Sequence, residues 1–199
     1  MIDNLPTLTQ LLKNLQQVPY LASKNIYRVA SHFLRMDYAK AEHFCAIILE
    51  AKKRLLQCPT CFCWQERDRN CLFCSSAARN QKIVCVVETW QELLAIEKTS
   101  GYNGVYHVLN GVISPLDGIG PEDLTIPALV ERVNQGVTEI ILAMNQTPEG
   151  EATSAYIASK FKGKSLTVSC LARGLPVGSS LEAMDRLTVY KALSERRPF

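Results

Sequence analysis

Apolar residues recur along this chain with two different periods, and the change between them divides it. Leu8, Leu11, Leu12 and Leu15 stand at i, i+3, i+4 and i+7, one face of a helix, and Thr7 with Gln10 is placed ahead of them as a capping box. Val18-Pro19-Tyr20-Leu21-Ala22 interrupts the pattern. Ser23 is then set to cap a second helix with an inward stripe of Ile26, Val29, Ala30, Phe33 and Leu34. Asp37 is set to cap a third, with Ala41, Phe44, Cys45, Ile48 and Leu49 inward and the basic run Lys52-Lys53-Arg54 at its end. Cys45 is expected to be buried as a small apolar side chain. His32 and His43 are expected on helix surfaces.

From residue 81 the apolar positions arrive in short unbroken runs. Ile83-Val84-Cys85-Val86-Val87 suits a strand buried on both faces, and Thr89 with Glu92 opens a helix through Glu97. Val105 to Leu109 reads as a second strand, Glu139 to Ala143 as a third and Ser165 to Leu171 as a fourth. Helices fall between them over Ile126 to Asn134 and from Asn145-Gln146-Thr147-Pro148-Glu149 onward, the latter carrying Ala152, Ala155, Tyr156 and Phe161. Strand and helix alternate, which predicts an α/β domain with a mainly parallel sheet. Polar groups in such sheets gather at the carboxyl ends of strands, and Glu88, Asn145, Glu149 and Glu151 fall there. His107, in mid-strand, is expected to be a packed residue. The remainder, with Leu187 to Leu193 as its last amphipathic stretch, is too short to fold alone and needs another surface.

Between the two regimes stand two Cys-x-x-Cys pairs, Cys58-Pro59-Thr60-Cys61 and Cys71-Leu72-Phe73-Cys74, with nine residues between them. Each pair makes a tight turn that aims two thiolates at one point, so Cys58, Cys61, Cys71 and Cys74 are expected to hold one structural zinc ion per chain. Four protein ligands leave no open position for chemistry. Cys63 lies inside the loop at a spacing that suits neither pair. Two disulfides are the competing reading, disfavoured because Met1-Ile2-Asp3-Asn4 has neither the basic nor the apolar region of a secretory leader.

Composition is ordinary for a globular protein, 47% apolar and 21% charged, and no apolar run reaches the roughly 20 residues of a membrane span. A cytoplasmic location and no membrane partner are the expectation. Net charge is only +3 but uneven: residues 1–80 carry 11 Lys and Arg against 6 Asp and Glu, and residues 81–199 carry 11 against 13. The two halves are therefore expected to face different partners. Two short helices around a turn, with Lys24 and Arg28 one turn apart on the second, fit either a helix-hairpin-helix on nucleic-acid phosphates or a plain helical bundle.

Taken together, these residues resemble the RecR family of bacterial recombination mediators. The resemblance runs from the four cysteines through Val86-Val87-Glu88, Tyr106-His107-Val108-Leu109, Ser114-Pro115-Leu116-Asp117-Gly118-Ile119-Gly120-Pro121, Glu149-Gly150-Glu151-Ala152-Thr153 and Ala172-Arg173-Gly174-Leu175-Pro176-Val177-Gly178. It implies an α+β protein in several parts: a helix-hairpin-helix over 1–56, a four-cysteine zinc finger over 57–80, an α/β Toprim domain over 81–176 and a C-terminal oligomerisation segment over 177–199. It implies a non-catalytic DNA-binding protein in recombinational repair, acting with RecO, and with RecF as a further candidate, to load RecA onto single-stranded DNA. It implies Lys24 and Arg28 as contacts to single- and double-stranded DNA, and a homo-oligomeric ring of two or four subunits. The family's hairpin usually reads Pro-Gly-(Val or Ile)-Gly, whereas this chain has Pro19-Tyr20-Leu21-Ala22. Toprim sheets elsewhere hold magnesium on a Glu and an Asp-x-Asp. Glu88 matches the Glu, but Met144-Asn145-Gln146-Thr147 stands where the Asp pair belongs. Glu88, Glu149 and Glu151 are thus either a weak magnesium site or a docking surface for RecO, and a magnesium-dependent phosphoryl-transfer enzyme on DNA is the alternative function.

Overall fold

The leucine spacing near the start becomes α1 (Pro6–Gln16) in the computed structural model, which describes residues 5–196 and 198. The reading of Met1 to Asn4 lies outside those residues. Pro6, with no N–H to leave unpaired and its φ already helical, takes the first helical position, so Leu5 rather than Thr7 is the cap, and its side chain makes no capping bond. α2 (Ser23–Arg35) likewise starts one residue early, with Ala22 at the cap and no side-chain bond to the first turn. Asp37 does cap α3 (Tyr38–Arg54), accepting from the Ala39 N–H at 3.0 Å.

The chain divides into two compact units, Met1–Arg54 and Leu55–Phe199. In the first, α1 and α2 close over Leu12, Ile26 and Ala30, with Leu8, Leu11, Leu15 and Leu21 around them. The inward stripe expected on α3 is not found. No residue of α3 is buried; Phe44, Ile48 and Leu49 are exposed, and so is Cys45, against expectation. Leu34 at the end of α2 is exposed as well. Two paired helices form this core, and α3 meets α2 through Phe33 against Phe44 at 5.4 Å between ring centres.

The second unit opens with a short antiparallel pair, β1 (Leu55–Gln57) and β2 (Trp64–Glu66), which brackets the first cysteine pair. Its main sheet contains β3 (Asn80–Val87), β4 (Gly104–Val108), β5 (Glu139–Leu142) and β6 (Thr167–Cys170) in the order β4-β3-β5-β6, all parallel. The crossovers are α4 (Trp90–Glu97), α5 (Ile126–Val133) and α6 (Pro148–Lys160), and α7 (Arg186–Ser194) follows the sheet. Thr89 and Glu92 form the capping box of α4. Alternation along the strands sorts the core into two faces. Val84, Val86, Ile140 and Leu142 meet Leu129 and Val133 of α5 and Ile157 of α6 on one. Cys85, Val87, Tyr106 and Val108 meet Leu93 of α4 and the cysteines 58, 61, 63 and 71 on the other. The cysteine segment is therefore part of the core of this unit. Among the described residues no helix is long and apolar enough to cross a membrane.

Candidate functional site

The four cysteines converge. The sulfurs of Cys58, Cys61, Cys71 and Cys74 lie within 4.8 Å of one another, three of these residues are buried, and none is in a disulfide. Tight turns place them: the Phe62 N–H donates to Cys58 O at 2.9 Å and the Ser75 N–H to Cys71 O at 3.1 Å. A tetrahedral ion with metal–sulfur bonds of about 2.3 Å wants its sulfurs about 3.8 Å apart, so the set fits such an ion with little movement. The crowded sulfurs share protons: hydrogen bonding with Cys63 and Cys71 pushes the Cys61 thiol up, and with Cys61 and Cys71 the Cys74 thiol up. A cation entering among them displaces those protons, which makes binding stronger as pH rises. Cys63 is buried beside the cluster, its sulfur 3.9 Å from Cys61 O, and is not one of the four.

The cluster is fastened to the edge of the main sheet. β4 pairs with β3 on one side, so the Tyr106 carbonyl and Val108 N–H point away from the sheet. Val108 N–H donates to Cys61 O at 2.9 Å, and Arg132 of α5 donates to Tyr106 O at 2.6 Å and to the Cys74 sulfur at 3.8 Å. His107 is fully buried, as expected of a packed residue. Its Nε2 lies 3.0 Å from the Thr125 hydroxyl, which already donates to Val108 O, and 3.1 Å from Thr125 O. Nε2 is therefore the donor, and Nδ1 is a buried acceptor with no partner among the described residues. Burial pushes the His107 pKa down to about 4.

At the carboxyl end of the strands Glu88 and Asn145 meet. The Asn145 N–H and side-chain amide donate to the two carboxylate oxygens of Glu88 at 2.6 and 2.8 Å, and the same amide reaches Glu92 at 3.3 Å. Gly150 makes room for this: a Cβ there would lie 2.3 Å from Asn145 O and 2.9 Å from a Glu88 oxygen. Glu151 is engaged elsewhere, 2.7 Å from Lys191 of α7 and 3.4 Å from Arg173. The Lys191 hydrogen bond, with Arg173 behind it, holds the Glu151 carboxyl below its usual range. Glu149 is exposed on the first turn of α6. The three carboxylates are thus not gathered around one point, and among the described residues only the four cysteines form a group able to hold a metal ion.

Lys24 and Arg28 are both exposed on α2, one turn apart, with no ion-pair partner among the described residues. The preceding turn keeps the shape that glycine favours: Tyr20 has φ +65° and its side chain stands wholly in solvent. Ala22 has φ −57° and needs no glycine. Arg28 also lines a cleft of about 740 Å3 with Tyr27, His32, Arg35 and Lys40, which the sequence reading did not single out. The spacing 28, 32, 35 places three of them on one helical face and could have revealed it.

A Toprim domain model matches residues 82–172, and a model described as "RecR, C-terminal" matches residues 174–197. The chain is 40% identical to recombination protein RecR of Syntrophobacter fumaroxidans over 98% of its own length and 96% of the relative's. It is 42% identical to recombination protein RecR of Acidobacterium capsulatum and to that of Myxococcus xanthus, in each case over 96% of both chains. Similarity of this extent, over helices, cysteine cluster, sheet and tail alike, makes the chain a member of the RecR family of recombination proteins.

Proposed function

We propose that this protein is a non-catalytic recombination mediator that binds single- and double-stranded DNA and, with RecO and RecF, helps load RecA onto single strands during repair. The observation that carries this reading is the match to recombination proteins along nearly the whole chain. Exposed cations on α2 and the cleft beside them support phosphate binding, since Lys and Arg gain affinity by releasing the counterions of DNA. The four-cysteine cluster is a structural zinc site: thiolate sulfur and tetrahedral spacing suit zinc, and four protein ligands leave no open position. Two features favour binding over phosphoryl transfer. Glu88 is already bonded through both oxygens to Asn145, and the carboxylate beside it, Glu92, is taken up by the Thr89 N–H and the same Asn145 amide, so among the described residues these acids form no group of the size a two-metal centre requires. Glu149, exposed, is the free acidic group for a basic partner such as RecO.

The protein acts as a homo-oligomeric ring, dimer or tetramer. Leu187, Tyr190 and Leu193 of α7 are all exposed, which suits a tail that finishes its packing on a neighbouring copy. Replacing Lys24 and Arg28 together by Ala tests the DNA site. Binding measured from low to moderate salt is expected to weaken on every sequence, with the salt slope flatter by roughly 1–2. An unchanged slope moves the site off α2. Deleting residues 187–199 is expected to lower the native mass and weaken DNA binding together, with bound metal retained.

A further inference from the structure

Arg132 has no role in the reading above and an unusual position. It sits on α5 among Ile126, Leu129 and Val133, and is itself only 7% exposed. A buried guanidinium requires a counter-charge or a full set of acceptors, since removing an ion from water is costly. Among the described residues no carboxylate pairs with it. Its acceptors are Tyr106 O at 2.6 Å and the Cys74 sulfur at 3.8 Å. A divalent ion held by four thiolates carries a net charge of −2, and that charge would lie directly against the guanidinium.

We propose that Arg132 is a positioning residue of the metal centre, and that the thiolate cluster is the counter-ion that allows this arginine to be buried. This rests on the metal reading above. One nitrogen of the guanidinium donates to the edge strand and another to the Cys74 sulfur, so the second cysteine pair is tied to β4 next to the point where Cys61 O takes the Val108 N–H. The donated hydrogen bond withdraws electron density from the Cys74 sulfur, and the positive charge offsets the excess negative charge of the cluster. Both effects favour the metal-loaded, fully deprotonated state. The planar fork spans the two acceptors at once, whereas a lysine would keep the charge and reach one of them.

The test is a metal competition on the full-length chain, using zinc with a colorimetric chelator at neutral pH, with thermal unfolding in parallel. Arg132→Gln is expected to lose zinc at roughly 10–100-fold lower chelator concentration, the usual size of an outer-shell effect on metal affinity, and Arg132→Lys to recover part of that loss. Leu129→Ala, one turn away on the same buried face, is expected to lower the unfolding temperature without moving the competition curve. The proposal is overturned if Arg132→Gln binds zinc as wild type does, if Arg132→Lys is no better than Arg132→Gln, or if Leu129→Ala shifts the curve equally. A wild-type chain that takes up no zinc overturns the metal reading itself, and this proposal with it; a zinc-loaded wild type with an indifferent Arg132 overturns this proposal alone.

Discussion

The two units of this protein are held together by very different amounts of interior. Among the described residues the helical unit buries three side chains, Leu12, Ile26 and Ala30, and leaves Leu34, Tyr38, Phe44, Ile47, Ile48 and Leu49 exposed on α2 and α3. The sheet unit has a buried cluster on each face, with a helix layer over one and a helix plus the cysteine segment over the other. Buried apolar area is the main source of stability, so the sheet unit should be the stable one and the helical unit the marginal one. The candidate site residues follow the same split. The cysteines, Glu88 and Arg132 are fixed by several bonds each, whereas Lys24 and Arg28 stand free on a helix. Rigid placement suits a structural ion that needs four ligands at set distances. Exposed cations suit a phosphate backbone, which asks for charge more than for geometry.

Both tryptophans, Trp64 and Trp90, lie in the sheet unit, so their fluorescence reports on that unit while helical circular dichroism reports on both. The largest expected effect is the loss of the metal centre. Structural zinc contributes on the order of 10–16 kcal/mol of apparent free energy, comparable to the stability of a whole domain. Cys71→Ser is expected to abolish the cooperative tryptophan transition and leave metal-free protein, while Cys63→Ser retains one ion per chain by metal analysis. Equal metal loss in both would break the four-ligand assignment.

Next in size are core truncations. Leu129→Ala, at a fully buried site, should cost about 3–5 kcal/mol in denaturant unfolding followed by tryptophan. Leu12→Ala, in the thin helical core, should cost about 2 kcal/mol, near the low end of such changes, and appear in circular dichroism alone. A Leu12→Ala loss as large as that of Leu129→Ala would mean that the contrast between the units is false.

Acid should act on the sheet unit through His107. Its folded pKa, lowered to about 4 by burial, lies below the ordinary value of 6.5, so the unfolded chain takes up the proton first as pH falls. The neutral ring adds no penalty above pH 6.5; stability then declines between pH 6.5 and 4, by about 3 kcal/mol in total. The cysteine cluster also loses stability in acid, so the measurement is the difference between wild type and His107→Gln at pH 7.5 and at pH 5. A difference that does not change with pH removes His107 from the acid response.

The smallest effect belongs to the hairpin. Tyr20 is held in the left-handed region with its ring in solvent, so Tyr20→Gly relieves backbone strain and removes no packing. After the added entropy of glycine in the unfolded chain, the helical unit should gain about 0.5–1 kcal/mol by circular dichroism, with tryptophan unfolding unchanged. A loss of stability would mean that the tyrosine supports the turn.

Local pattern by itself determined a good deal of this molecule. Cys-x-x-Cys spacing is a statement about two tight turns and needs no distant partner, so the cluster of Cys58, Cys61, Cys71 and Cys74 could be read before the fold was seen. The unbroken apolar run Ile83–Val87 announced a buried strand, and all four strands of its sheet proved parallel, the last of them, β6, largely exposed. The Thr89–Glu92 capping box and the Asp37 cap are likewise contacts within a few residues. What tertiary structure alone decided is which apolar stripes find a partner and which charges are consumed. Periodicity could not tell that α3 buries nothing, because burial depends on what lies opposite the stripe. It could not tell that Glu88 is bonded to Asn145, that Glu151 is held by Lys191 and Arg173, or that Arg132 reaches the sulfur of Cys74. Those pairs are separated by 57, 40, 22 and 58 positions respectively for Glu88–Asn145, Glu151–Lys191, Glu151–Arg173 and Arg132–Cys74. Hydrogen bonds and ion pairs act over a few ångströms in space, and only the folded chain brings such residues within that reach.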